Sequence, residues 1–345
     1  MSNIIETKFI EEIKELLNMA KQQVKTTINI AIVYTNYEIG KRIIEQEQKG
    51  SSRAKYGKEV IKQLSIALTK EFGKGYSVTN LKTIRQFYVT YSSDQISQSV
   101  PDQSQNLPKT SDGKVFYLSF THYVVLMSIS NINERHFYEI EAFNNNWSVR
   151  ELQRQINSCL YERLVLSRDK KGIMELSQKG QIIEKPMDAI KDPLILNFLE
   201  LKEDKRYSEK DLENRIINKL QDFLMELGKG FTFVKRQMRL SFEDQNFYAD
   251  LVFYNRLLKC FVVIDLKTKT LTHQDIGQMQ MYVNYFDRYV KLPEENKTIG
   301  ILLCKQKNDA VVELTLPEDN DTIFASKYET ILPSKEELIK LINEK

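Results

Sequence analysis

The pattern of hydrophobic and polar positions changes about halfway along the 345-residue chain. In the first half, apolar residues recur every three or four positions, which predicts amphipathic helices. After the charged segment 202–210, short apolar runs alternate with helical segments, which predicts strands with flanking helices. The pattern therefore predicts two domains: a helical domain over 1–185 and an α/β domain over 186–345.

Two long helices are predicted within 4–47. In the first, the apolar residues follow helical spacing and indicate a face that packs against the rest of the domain: Ile5, Phe9, Ile13, Leu16 and Leu17. A second apolar run begins near Ile28. Gly40 falls on its apolar face, where the missing side chain would let a neighbouring helix approach closely.

Segment 56–90 has the outline of a helix-turn-helix. A helix over Val60–Phe72 stops at Gly73-Lys74-Gly75, and a new helix begins near Ser77 or Thr79. The exposed face of that second helix carries side chains that suit phosphates and base edges: Asn80, Lys82, Arg85 and Gln86. A plain helical hairpin with a solvated face is the alternative, and the pattern leaves both open. The following segment, 92–114, is polar with Ser and Pro, which predicts a flexible loop.

The most informative stretch is 246–267, NFYADLVFYNRLLKCFVVIDLK, where two apolar runs flank a short basic connector. Each run carries one acid, Asp250 and Asp265, and Lys267 follows the second acid by two positions. Strand periodicity places Asp265 and Lys267 on the same side. An antiparallel hairpin turning around Leu257-Leu258 would place Asp250 opposite Asp265.

Two carboxylates that close repel each other, and a divalent cation with a preference for hard oxygen ligands removes that cost. The hairpin therefore indicates a Mg²⁺ or Mn²⁺ site. A buried Asp–Lys ion pair that holds the sheet together is the alternative interpretation.

Further elements surround the hairpin. Ser208 caps a predicted helix that ends at Gly228, and a strand with Lys235, Gln237 and Arg239 on one face follows. After the hairpin, Thr272 and Asp275 are candidate caps of a helix over Gln274–Tyr289, on which Gln278 and Tyr282 share a face. The remaining segments read as three strands and a last helix: TIGILLC, AVVELTLP, Phe324–Tyr328 and Lys335–Asn343.

The amino-acid composition and net charge narrow the classes of function that the chain can have. The formal net charge is +3, so a nucleic-acid partner would need a local basic face. Three widely spaced cysteines and three histidines without metal-ligand spacing argue against disulfide frameworks and zinc ribbons. The start of the chain lacks signal-peptide features, and no apolar run is long enough to span a membrane. We therefore expect a cytoplasmic protein and leave a homo-oligomer open.

The ordered motifs resemble a known family over nearly the whole chain. The pattern of Asp250 followed by Asp265-Leu266-Lys267 resembles the motif of the PD-(D/E)xK nuclease superfamily. Other segments resemble the YhcG-like nucleases of that superfamily and their helical N-terminal domain: YGKEVIKQLS, GKGYSVTNLKTIRQFY, LSFTHY, WSVRELQRQI, LYERL, YSEKDLE, LGKGFTFVKRQMRL and GQMQMY. The resemblance implies a restriction-endonuclease-like core, with a mixed central sheet between helices.

The same resemblance implies a role for each site residue. Asp250 and Asp265 would bind the metal, with Glu213 on the preceding helix as a supporting ligand. Lys267 would position or deprotonate the attacking water, and Gln278 would match the polar residue on the next helix. Ala249 stands where the motif has proline, a position that varies in the superfamily.

These inferences converge on a metal-dependent endonuclease acting on DNA. Lys235 and Arg239 are further candidate DNA contacts beside the four residues of the helix-turn-helix. A catalytically idle nucleic-acid-binding or complex-forming protein on a nuclease fold is the alternative, and a purely structural interaction protein is a third possibility.

Overall fold

The computed structural model describes residues 2–49, 54–93, 108–166, 168, 170–191, 193–201 and 207–344. The chain forms two compact units, one made of 1–157 with 174–180 and the other of 158–173 with 181–345. Much of the segment predicted as a flexible loop, 94–107, lies outside the described residues. Its last part is attached to the first helix, since Tyr37 donates a hydrogen bond to Asp112 (2.6 Å) and Lys41 to Ser111 (2.7 Å).

The first unit is built from helices, as predicted: α1 (Ser2–Lys49), α2 (Ala54–Phe72), α3 (Val78–Ser92), α4 (Phe120–Leu126), α5 (Ile132–Asn144) and α6 (Val149–Asn157). The prediction of two helices within 4–47 is wrong, because α1 continues through this segment without a break. Between α2 and α3 lies a short 3₁₀ turn, Lys74–Tyr76, and Ser77 caps α3 by accepting a hydrogen bond from the Asn80 N–H. This confirms the predicted end of the first helix at Phe72 and the predicted start of the second near Ser77, whereas α2 begins at Ala54 and not at the predicted Val60.

Gly40 lies where α1 and α3 cross. A side chain there would place its Cβ 2.6 Å from the Ile84 carbonyl oxygen and 2.7 Å from Tyr88 Cβ, distances that no packed carbon atom tolerates. Glycine at this position therefore allows the close helix approach that the sequence predicted.

The second unit has α/β architecture. After α7 (Leu160–Leu166), α8 (Lys170–Lys179, divided between the units) and the short strand β1 (Leu194–Ile195), its elements are α9 (Glu209–Asn218), α10 (Leu220–Leu227), β2 (Phe231–Phe242), β3 (Gln245–Asn255), β4 (Cys260–Thr270), α11 (His273–Tyr289), β5 (Ile299–Gln306), α12 (Asp309–Thr315), β6 (Ile323–Glu329) and α13 (Lys335–Glu344). Within the described residues these strands form one six-stranded sheet in the order β1-β6-β5-β4-β3-β2. The β2–β3 and β3–β4 pairs are antiparallel, whereas the other three pairs are parallel.

Both faces of the sheet are buried, which explains the continuous apolar runs of β3 and β4. Leu251 and Ile264 pack on the face covered by α9 and α10, together with Leu212 and Ile216. Val252 and Val263 pack on the opposite face, covered by α11. This confirms the predicted mixed central sheet between helices.

Two predictions for the second unit are wrong in detail. Most of AVVELTLP, predicted as a strand, lies in the helix α12, which is capped by the Asn308 side chain accepting from the Val311 N–H (3.3 Å). Because β5 and β6 are parallel, the chain must cross over between them, and a helix provides that connection. The single helix predicted after Ser208 is interrupted at Lys219, which separates α9 from α10.

Among the described residues, every helix is too short or too polar to serve as a transmembrane span. Cys159, Cys260 and Cys304 are all buried.

Candidate active site

The β3–β4 hairpin has the predicted register. Leu251 lies opposite Ile264 and Asn255 opposite Cys260, so positions 250 and 265 face each other one residue beyond the last main-chain pair. At this point the Leu266 N–H donates its hydrogen bond to Oδ2 of Asp250 (2.9 Å). The side chain of Asp250 thus takes the place of a main-chain carbonyl acceptor. The carboxylate is thereby fixed at the end of the ladder.

Asp265 and Lys267 form a buried ion pair on the face covered by α11. Asp265 is only 3% exposed, and its Oδ2 lies 2.8 Å from Lys267 Nζ. The same ammonium group lies 3.4 Å from Oδ1 of Asp275, in the first turn of α11. Asp275 is itself held by a capping box with Thr272, and both residues are predicted caps of this helix. The helix N-terminus and the strand therefore position Lys267 together.

Burial and neighbouring charges shift the pKa values of Asp265 and Lys267. Burial, and next the neighbouring Asp250 charge, raise the pKa of Asp265 to about 7 against the opposing effect of Lys267. Burial alone would lower the pKa of Lys267, but the Asp265 carboxylate outweighs it and raises that pKa above its ordinary value. Lys267 is therefore a cation at neutral pH, whereas Asp265 changes charge close to neutrality.

Glu213 reaches this region from α9 and is 2% exposed. Its Oε1 lies 3.1 Å from Arg236 Nε, and its Oε2 accepts a hydrogen bond from Gln237 Nε2 (2.6 Å). The same Gln237 nitrogen donates to Asp250 Oδ1 (2.9 Å). Glu213 is thus connected to Asp250 through one amide group.

Sequence analysis missed Gln237 and Arg236 as part of this site. Gln237 has φ 45°, in the left-handed region that non-glycine residues seldom adopt within a strand. Consecutive strand residues normally point to opposite faces, yet both of these side chains reach Glu213. The prediction assumed regular alternation along β2 and therefore missed this arrangement. Around Gln237-Met238, the segment FTFVKRQMRL contains no glycine or asparagine that could have signalled a left-handed backbone.

Gln278 lies on α11, the helix that covers the Asp265–Lys267 face of the sheet. Its Nε2 lies 2.5 Å from the Tyr282 hydroxyl, which in turn donates to the Tyr248 carbonyl oxygen (2.9 Å). Burial, followed by the Asp265 charge, raises the pKa of Tyr282 to about 12, so the phenol stays neutral. The predicted i,i+4 pair therefore exists, and its hydrogen bonds run to β3 rather than to the acids.

The donor chemistry fits one hard divalent cation at Asp250 and Asp265. Two facing carboxylates, one with a raised pKa, are the arrangement that such a cation neutralises. Among the described residues, no group of three or more Asp, Glu, His or Cys side chains is close enough to hold a metal. A magnesium-like ion completes its shell with water or substrate oxygens, so a pair of carboxylates is sufficient protein coordination.

The candidate DNA contacts occupy different environments. Lys82 and Lys235 are exposed, and Gln86 is exposed with a hydrogen bond to Thr90 (3.2 Å). Arg85 is engaged by Glu47 (2.8 Å). Asn80 donates to the Gly75 carbonyl oxygen (3.0 Å), and Arg239 donates to Asn246 (2.8 Å).

Comparison with known proteins gives matches over most of the chain. Residues 187–343 match the YhcG PDDEXK nuclease domain, and residues 12–163 match the DUF1016 N-terminal domain. Over 338 residues the chain is 38% identical to "Putative nuclease YhcG" of Escherichia coli (strain K12), a match that covers 94% of this chain and 90% of that protein.

Solved structures match a smaller part. A repair endonuclease from Pyrococcus abyssi is 19% identical, with a TM-score of 0.26, and the match covers 39% of this chain and 50% of that one. An EndoMS–double-stranded DNA complex is 15% identical, with a TM-score of 0.27, over 39% of this chain and 51% of that one. The fold assignment itself rests on the strand order and packing described above.

Proposed function

The chain belongs to the YhcG family of PDDEXK nucleases, and we propose that it is a divalent-metal-dependent endonuclease that hydrolyses phosphodiester bonds in DNA. One observation supports this proposal above the others. Asp250 and Asp265 face each other at the end of a hairpin, and Lys267 lies 2.8 Å from the second acid. Buried acids with raised pKa values cluster at functional sites.

Asp250 and Asp265 would bind Mg²⁺ or Mn²⁺, and Glu213 would support them from α9. When bound, the cation polarises a phosphoryl oxygen and lowers the pKa of a water molecule. The Lys267 ammonium would stabilise the charge that develops on the phosphate oxygens. Because its pKa is raised, Lys267 would orient the attacking water through hydrogen-bond donation rather than remove its proton. Gln278 would hold substrate or water through its side-chain amide.

The helical domain, 1–185, would hold the DNA for the nuclease domain, 186–345. Lys82 and Gln86 on α3 are exposed and available to phosphates, as is Lys235 on β2. Asn80, Arg85 and Arg239 would first have to exchange their hydrogen bonds within the protein for contacts with DNA.

The test is a cleavage assay with the full chain on linear, supercoiled and branched DNA, and on RNA, with Mg²⁺, Mn²⁺ or EDTA. We expect metal-dependent cutting of DNA that falls on the order of 100-fold or more in Asp265→Asn and Lys267→Met. Lys269→Met, an exposed lysine on the same strand, and Asp244→Asn, in the β2–β3 turn, are the matched controls and should cut normally.

Cutting that survives both site substitutions would refute the assignment of the site. If no substrate is cut but Asp250→Ala alters DNA binding or assembly, the fold is catalytically idle and the alternative function holds. Cutting of RNA alone would refute the substrate class while leaving the site intact.

A further inference from the structure

The first half of α1 exposes a continuous apolar face. The large side chains on it are between 41% and 62% exposed: Phe9, Ile10, Ile13, Leu16, Leu17, Val24 and Ile28. Among the described side chains of α1, the first buried one is Val33. The predicted packing of the first apolar face against the domain is therefore wrong for Phe9, Ile13, Leu16 and Leu17. The side chain of Ile5, the remaining residue of that face, lies outside the described residues. An apolar face of this length marks an interaction surface.

The spacing of these residues is that of a helix–helix seam. Ile10, Leu17 and Val24 are seven positions apart, as are Ile13 and Ala20, and Phe9 and Leu16. A seven-residue apolar repeat keeps one stripe of a helix in contact with a partner helix along its length. The stripe spans 20 residues, or about 30 Å at 1.5 Å per residue.

The charges of the same segment are divided between its two ends. Glu11, Glu12 and Glu15 outnumber Lys14 in the first part, whereas Lys21 and Lys25 are the charges of the second. One end is therefore acidic by two charges and the other basic by two. Two copies running in opposite directions would place the acidic end of each beside the basic end of the other.

We propose that residues 9–28 of α1 pair with the same segment of a second copy of this chain, in antiparallel orientation, and make the protein a homodimer. The seam is complementary to itself, because the same apolar repeat serves both helices. This is the isologous contact that two-fold symmetry requires. The charge distribution also favours a second copy as the partner. The acidic end of one helix is complementary to the basic end of an identical helix that runs in the opposite direction.

The test uses the full chain and two adjacent substitutions that introduce the same charge on opposite faces. Leu17 lies on the apolar stripe and Asn18 on the polar face, and both are exposed, so neither substitution disturbs a buried site. By light scattering after size exclusion, we expect twice the 40.5 kDa chain mass for the parent protein. The Leu17→Glu substitution should raise the dissociation constant of the dimer at least about 100-fold, because it buries an unpaired carboxylate in the seam. Asn18→Glu should remain dimeric, and circular dichroism should show equal helix content for all three.

A parent chain that is monomeric at tens of micromolar would overturn the proposal and point to a different partner for the stripe. A dimer that survives Leu17→Glu would place the interface elsewhere. The dimer should also dissociate several-fold more readily in 0.5 M than in 0.05 M NaCl, since salt screens the complementary ends. Tighter association in high salt would refute the antiparallel orientation.

Discussion

The side-chain nitrogen of Gln237 lies 2.9 Å from Asp250 Oδ1 and, at the same time, 2.6 Å from Glu213 Oε2. One amide group thus separates two carboxylates that would otherwise repel each other. Gln237 makes both contacts at φ 45°, which is a strained conformation for this residue type.

Replacing Gln237 with methionine keeps the side-chain volume and removes the donor. We expect the metal-free protein to lose on the order of 1–3 kcal/mol of unfolding free energy, because the buried Glu213 carboxylate loses a hydrogen bond. Urea unfolding in EDTA measures this loss. Adding Mg²⁺ should recover part of it, since a cation also neutralises the acids.

Gln245→Met is the control, because Gln245 is exposed on the adjacent strand. Equal stability of the two variants would show that the Gln237 bridge contributes nothing.

Asp265 gives the metal-free protein a pH dependence of definite sign. Its pKa is raised from 3.8 to about 7 on folding, so the folded state holds the proton more tightly. Ionising Asp265 therefore lowers the unfolding free energy. This loss is absent below pH 3.8, grows as the pH rises and is complete above about pH 7. A shift of this size corresponds to on the order of 4 kcal/mol.

In EDTA, we therefore expect the unfolding free energy to fall between about pH 4 and pH 7, and Asp265→Asn to flatten that fall. Asp275→Asn provides the comparison. Burial would raise the pKa of Asp275, but the Thr272 hydrogen bonds lower it, so its stabilising effect is present throughout this range. The Asp275 variant should lose stability evenly and keep the slope. A slope unchanged in Asp265→Asn would contradict the assignment.

Gly40→Ala should separate α1 from α3. The added Cβ would meet main-chain and side-chain atoms at 2.6–2.7 Å, so one helix must move. Overpacking of this kind typically costs about 1–3 kcal/mol, measured as a lower midpoint in urea. Gly75→Ala is the matched control, because nothing lies within 4 Å of its added Cβ and its stability should be unchanged. A Gly40 variant as stable as the control would mean that the helices do not cross this closely.

If α3 binds DNA, removing its charges should change the salt dependence of binding. Lys82→Ala should lower the slope of log K against log salt by about 1. Arg85→Ala should act on DNA binding and also lose its ion pair with Glu47, an effect of no more than about 1 kcal/mol on stability. Fluorescence anisotropy over a salt series gives the slope. Lys62→Ala, exposed on α2, is the control, and an equal slope change there would argue against docking through α3.

The hairpin register could be predicted because its determinants are local. Both strands are buried on both faces, and a slip of one residue would move every side chain to the wrong face. The same logic placed Asp265 and Lys267 on one side. Caps such as Ser208 and Thr272 were predictable for a similar reason, since their hydrogen bonds close within three residues.

What escaped prediction depends on distant parts of the chain. The valines of α12 favour a strand locally, but two parallel strands require a crossover at that point. The left-handed Gln237 is stabilised by acids 24 and 13 residues away in sequence. The exposure of Leu17 depends on where the domain core ends, and helical spacing contains no information about that.

The point where Asp250 accepts the Leu266 N–H is also where the sheet divides. Before position 251, β3 remains paired with β2 only, and the two strands continue to their turn at Glu243 and Asp244. Insertions, deletions or fused peptides at that turn would therefore lengthen an arm without moving either acid. The length of the β2–β3 arm can therefore change, by natural insertion or by design, while Asp250 and Asp265 keep their positions.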